Sequence, residues 1–166
     1  MLSEPEVIER PAQPYVAIKA QVTMQTLGPT LVPLHARVLT WLHDQHTPAA
    51  GAPFWKYDRL DMDGTLDVEV GVPTAAAMAA DDEVLSGLLP AGRYGMLRHT
   101  GHPDGLRDAT GFLLTWAQQQ HLAWDVERGP DGEHWTARLE IYETDPAVEP
   151  DMTRWTTQLA FRLADR

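Results

Sequence analysis

The chain has 166 residues, and 13 Lys and Arg against 24 Asp and Glu leave it a net charge of −11. With only two lysines, Lys19 and Lys56, it lacks the basic stripe that phosphate backbones require. This excludes nucleic acid as the main partner and favours cationic small molecules or basic protein surfaces. The 43% apolar content suits one folded domain, and the absence of cysteine excludes disulfides, thiolate nucleophiles and Cys-ligated zinc. No apolar run approaches the about 18 residues of a membrane span, and an acidic N-terminus without a basic, apolar leader points to a cytoplasmic protein with no membrane partner.

Residues 1–14 carry Glu4, Glu6 and Glu9 with Pro5, Pro11 and Pro14, and are expected to form a lead-in with little structure. Residues 15–23 (YVAIKAQVT) alternate as a strand. Residues 27–45 read as a helix whose apolar face is Leu31, Leu34, Val38 and Trp41. A strand at 54–60 sets Trp55, Tyr57 and Arg59 on one face and Phe54 on the other, and a turn follows at 61–64. Residues 66–72 then alternate strictly, with Leu66, Val68, Val70 and Val72 on one face and Asp67, Glu69 and Gly71 on the other. An Ala-rich connector at 74–83 leads to strands at 84–89 and 93–100. A second helix is expected at 105–121, with Leu106, Ala109, Leu113 and Trp116 as its apolar face. A short strand at 124–128, a long one at 134–144 and a closing one at 155–163 complete the chain.

The two helices match at a constant offset of 75 residues: the string Leu39-Thr40-Trp41 followed by His46 recurs as Leu114-Thr115-Trp116 followed by His121. LDVEV at 66–70 also resembles ARLEI at 137–141, which sets Glu69 against Glu140 at an offset of 71. Two copies of a strand–helix–strand–strand unit, over 15–73 and 84–164, account for this order. The predicted fold is α+β, a single domain over 15–166. In it the tandem duplicated units join into one antiparallel sheet, with two helices flanking a ligand cleft.

Glu140 leads the candidate site residues. It lies between Leu139 and Ile141 and shares its face with Arg138 and Tyr142. In a groove its carboxylate needs a cation or an elevated pKa; on a solvated face it pairs with Arg138 or a neighbouring arginine, and alternation leaves both open. Glu69, beside Asp67 on a face expected to meet solvent, ranks second. Six tryptophans against three phenylalanines supply flat faces for stacking on ligands and attracting cations. Trp55 and Tyr57 share a strand face, and Tyr94 and Tyr142 take comparable strand positions. Trp41 and Trp116 are expected chiefly in the core with an edge toward the groove, and His99 completes the candidate ligand-binding set.

Metal is not expected. His43 and His46 lack a third ligand, and Asp61, Asp63 and Asp67 lack the glycine and the bidentate glutamate of a calcium loop. No cofactor is expected either, since no phosphate-binding lysine loop or dinucleotide fingerprint is present. The only serines, Ser3 and Ser86, are not in a nucleophile elbow. Acid–base chemistry, or binding without turnover, remains.

The phrases PFWKY (53–57), LPAGRY (89–94) and HTGHP (99–103), in order with the glutamate strands LDVEVGVP and ARLEIYETDP, resemble the GyrI-like small-molecule-binding domain. That domain is also the effector-binding module of AraC- and MerR-type multidrug regulators. The resemblance spans residues 14–164. It implies a cleft between the helices that binds hydrophobic, often cationic, drug-like molecules, with Glu140 as the central acid and Tyr57 and Tyr142 packing on the ligand. Trp55 departs from the usual pattern. Only fourteen residues precede the first strand, where the regulators carry a helix-turn-helix, so the chain is expected to be a stand-alone module without direct DNA binding. Some stand-alone relatives hydrolyse cyclopropane-bearing genotoxic compounds, so the resemblance also implies an alternative, a hydrolase with Glu140 as general base. A basic protein partner docked on the acidic surface is a third reading.

Overall fold

The apolar spacing seen in the sequence becomes, among the described residues, ten strands and two helices. In chain order they are β1 (Glu6–Arg10), β2 (Gln13–Val22), α1 (Leu27–Asp44), β3 (Phe54–Leu60), β4 (Leu66–Pro73), β5 (Leu85–Leu89), β6 (Gly92–Thr100), α2 (Leu106–Gln119), β7 (Val126–Gly129), β8 (Gly132–Trp135), β9 (Arg138–Tyr142) and β10 (Thr156–Arg162). The computed structural model describes residues 1–61 and 63–166; Met62, in the turn expected at 61–64, lies outside them. Among the described residues no helix is long and apolar enough to cross a membrane.

The strands form one antiparallel sheet in the order β1-β6-β10-β9-β3-β4-β2-β5, with the β7–β8 hairpin attached to the end of β3. In the first half β2, α1, β3 and β4 follow one another, and β4 pairs with both β2 and β3. In the second half β6 and α2 are followed, after the β7–β8 hairpin, by β9 and β10, and β10 pairs with both β6 and β9. The halves meet where β3 pairs with β9. This topology corrects one expectation. β9, like β3, pairs at the junction of the halves while β4 lies inside its half, so Glu140 and Glu69 do not occupy matching places; Glu140 stands opposite Trp55.

Each helix buries one stripe on the same side of the sheet: Leu31, Leu34, Val38 and Leu42 from α1, and Leu106, Ala109 and Leu113 from α2. The four apolar residues of β4 meet them there. The other side of the sheet carries a second cluster built on Tyr15, Phe54, Leu89, Tyr94, Leu139 and Ala160. α1 packs on β2 and β4, and α2 on β6, so the central strands β3 and β9 run between the two helices.

The helices also end alike. His46 and His121 adopt left-handed backbones, with φ of 54° and 56°. In each case the following amide reaches back five residues, Thr47 to the Leu42 carbonyl at 3.0 Å and Leu122 to the Ala117 carbonyl at 2.9 Å. These are Schellman motifs with histidine where glycine is usual.

Three further expectations change. The supposed lead-in contributes β1, which pairs with β6 from Glu6 opposite Met96 to Arg10 opposite Gly92. The long strand at 134–144 is two strands, because β8 pairs with the end of β3 while β9 pairs with its beginning, and Thr136 turns between them to bond the Asp125 carbonyl at 3.1 Å. A bulge between Tyr57 and Arg59 shifts the register, so Arg59 leaves the face of Trp55 and Tyr57 and binds Asp67 at 2.9 Å.

Candidate functional site

The β3–β9 pair aligns Trp55 with Glu140, and alternation puts Trp55, Tyr57, Arg138, Glu140 and Tyr142 on the helix side. Two phenols converge on one oxygen of Glu140: the Tyr57 hydroxyl donates to Oε1 at 3.0 Å and the Tyr142 hydroxyl at 2.7 Å. Among the described residues nothing donates to Oε2. Burial pushes the Glu140 carboxyl above the usual range, while the two phenols and the field of Arg138 act against that shift without cancelling it. Burial and the adjacent carboxylate hold both phenols well above their ordinary pKa. They therefore stay protonated donors.

Aromatic side chains cluster beside this carboxylate. The rings of Trp55 and Tyr142 meet edge to face, with centroids 5.3 Å apart. His35, on α1 one turn beyond Leu31, completes the cluster: it accepts a hydrogen bond from Trp55 Nε1 on its Nε2 at 2.8 Å and lies edge-on to Tyr142 at 5.8 Å. An accepting Nε2 requires the neutral imidazole, and burial pushes the His35 pKa down accordingly.

Arg138 does not pair with Glu140. Its guanidinium lies over the rings of Phe161 at 4.7 Å, Trp135 at 4.9 Å and Tyr57 at 6.0 Å. Desolvation lowers its pKa, and cation–π contact takes the place of an ion pair. Among the described residues Glu140 is thus a half-buried carboxylate with two hydrogen bonds and no cation in contact.

Of the sequence candidates, Glu140, Tyr142, Trp55 and Tyr57 come together here. Glu69 and Tyr94 do not, because the register puts both on the face away from the helices. Glu69 is buried there rather than solvent-facing, taking hydrogen bonds from Tyr15 at 2.6 Å and Lys56 at 3.1 Å. Tyr94 donates to the Pro90 carbonyl at 2.6 Å. Trp41 bonds Asp81 at 2.7 Å and lines a hollow of about 250 Å³ with Arg37 and Glu83, away from this cluster. Trp116 packs against the helix-side core. His99 faces the helices but is buried near Gly105, with Nδ1 unpartnered among the described residues and its pKa lowered by desolvation.

His35 is absent from the sequence candidates, although its place four residues after Leu31 on the buried stripe could have suggested it. Arg138, expected as a face neighbour and a possible ion-pair partner of Glu140, lies over aromatic rings instead. Among the described residues no group of three or more His, Asp or Glu side chains is arranged to hold a metal.

The half-buried Glu140 carboxylate and its aromatic neighbours thus lie where the β3 and β9 strands of the two halves pair. The model of the GyrI-like small molecule binding domain family matches residues 3–159, and the chain belongs to that family. The C-terminal domain of EcmrR superposes with a TM-score of 0.71 at 16% identity, over 98% of both chains. Against the EcmrR of the EcmrR–DNA complex, also at 16% identity and a TM-score of 0.71, 98% of this chain aligns and spans 58% of that longer one. SAV2435, solved with tetraphenylphosphonium, gives a TM-score of 0.64 at 11% identity over 98% of this chain and 94% of its own. A hydrolase from Listeria innocua gives 0.61 at 13% identity over 97% and 92%. At these identities the likeness speaks to the fold. No curated protein matches the chain.

Proposed function

We propose that the chain binds a hydrophobic aromatic cation between its two helices, with the charge set against Glu140. The observation that carries this reading is the uneven use of the carboxylate: both phenols serve Oε1, and Oε2 has no donor among the described residues. A carboxylate half out of water gains most from a cation that brings its own apolar surface, since such a ligand restores the charge balance without restoring water. Each ring contact adds roughly 0.5–2 kcal/mol. Entry means turning Trp55 away from His35, at the cost of one hydrogen bond, about 0.5–1.5 kcal/mol. Stacking and one charge discriminate weakly, so several ligands of this class should bind. That SAV2435, of like fold, was solved with tetraphenylphosphonium supports the choice of probe.

The test is quenching of tryptophan fluorescence by tetraphenylphosphonium and by neutral triphenylphosphine oxide, in wild type and Glu140→Gln. The expected result is a roughly 10- to 100-fold loss of phosphonium affinity in the variant, the about 1.5–3 kcal/mol of a charged contact, with the neutral compound little changed. Equal effects on both probes would remove Glu140 from the site.

A second reading rests on the same free Oε2. An oxygen held in place through its neighbour is positioned to take a proton from water as it attacks an electrophilic cyclopropane. The C–O bond would form as the strained C–C bond breaks, and the opened fragment would regain the proton. Incubation with such a compound and mass spectrometry for the added water, seen with wild type and lost in Glu140→Gln, separates turnover from binding.

A further inference from the structure

A hollow of about 210 Å³ opens on the side of the sheet that the helices do not cover, and it is lined by Arg10, Gln13, Phe54, Pro73, Leu89 and Ile141 among others. Arg10 belongs to β1 and Leu89 to β5, the two ends of the strand order, while Phe54 and Ile141 sit on the central strands. Opposite edges can share one hollow only if the sheet curls until they approach. The hollow is the mouth of that curl, a recurrent place for ligands in curled and closed sheets. Phe54 and Leu89 are members of the far-side core, so its apolar wall is the packed edge of that cluster.

The wall carries one guanidinium that, like Arg138 on the other face, has no carboxylate partner among the described residues. Arg37, Arg59, Arg98 and Arg162 each hold a carboxylate, at 2.6 to 2.9 Å. Arg10, half-buried, holds none among the described residues: it donates to Gln158 Oε1 at 2.9 Å and lies 5.7 Å from the centre of the Tyr94 ring. Glu143, whose field reaches it, is already bonded to Arg98 at 2.8 Å. A chain with 24 acids and a net charge of −11 thus leaves a desolvated guanidinium without a carboxylate, beside an apolar wall. Most of its five donors, in a planar fork that matches a carboxylate, remain unused. Size narrows the choice. Benzene fills a cavity of about 150 Å³, and pockets for drug-sized ligands begin near about 300 Å³.

We propose that this hollow is a second binding site, for a small aromatic or branched aliphatic carboxylate whose apolar body lies on Phe54, Leu89 and Ile141 and whose carboxylate pairs with Arg10. It is independent of the Glu140 reading, which concerns the other face and the opposite charge.

Sodium benzoate and its neutral isostere benzamide are the probes, titrated by calorimetry and followed on the Arg10 Nε–H resonance by NMR. Wild type should bind benzoate saturably, with the Arg10 signal shifting along the titration, and prefer it to benzamide by about tenfold or more. Arg10→Met should lose that preference. Ala52→Phe, which fills the hollow from its rim and leaves Arg10 in place, should lose benzoate as well; thermal melts establish that both variants fold. Glu140→Gln should bind benzoate as wild type does. Equal binding of the two probes, benzoate binding that survives in folded Arg10→Met, or no binding by wild type would each overturn the proposal.

Discussion

Glu69 has a cation and a phenol within hydrogen-bond reach, Lys56 and Tyr15, whereas Glu140 has two phenols and, among the described residues, no cation. Burial dominates both carboxyls and pushes both up, Glu69 to about 7 with Asp58 adding to the shift. Burial also acts to raise Asp58, but its bonds to Glu69 and Lys56 outweigh that and hold it below its ordinary range. The folded state therefore keeps a proton on Glu69 that the unfolded chain releases at a pKa of about 4.5. The stability this contributes is complete below that value and is lost as the pH climbs to about 7; Asp58 titrates beneath the window. Glutamine imitates the protonated form at every pH. Glu69→Gln should match wild type near pH 5 and exceed it near pH 7.5 by on the order of 1–3 kcal/mol in urea unfolding, with Lys56 still paired to Asp58. A difference independent of pH would show that Glu69 is ionised throughout.

Both helices end on a histidine in the left-handed region, exposed and without a side-chain hydrogen bond among the described residues. A residue with a Cβ is strained there by roughly 1–2 kcal/mol, and glycine is not, although glycine returns about 0.5–1 kcal/mol of that in chain entropy. His46→Gly and His121→Gly should each raise stability by up to about 1 kcal/mol, and additively, because they cap different helices. Thermal and urea melts check this; a loss in either would mean that the imidazole holds the cap. These ends also mark what was legible in the sequence. The repeated LTW string with its trailing histidine is one structural device, a helix with its C-terminal motif, and local periodicity carries that information. The match of Glu69 to Glu140 failed because alternation says which residues share a face but not where a strand lies in the sheet. Arg59 changed faces through a bulge that no residue type announces, and β1 was hidden because its partner β6 lies far along the chain. His35 was missed because one polar residue on an apolar stripe reads as a boundary position until the strand beneath it is known.

At the scale of the whole molecule the excess of acid has to be set against the ion pairs. Many of these pairs are exposed, such as Arg37–Glu83 with side chains 55% and 46% accessible, and such pairs contribute about 0–1 kcal/mol each. The excess charge of −11 instead repels itself across a domain whose radius of gyration is about 15 Å. The screening length is about 30 Å at 0.01 M salt, so nearly every acid then feels every other; at 0.15 M it is about 8 Å, and only neighbours do. Screening should therefore remove more repulsion than attraction. Raising NaCl from about 0.01 to about 0.15 M should stabilise the fold by on the order of 1 kcal/mol, read as a rise in the urea midpoint at neutral pH. Tetraphenylphosphonium, drawn to the protein by the same field, should bind more weakly over that range. A midpoint that fell with salt would mean that the pairs outweigh the repulsion, and it would remove the long-range part of the attraction for cations from the account of the Glu140 site.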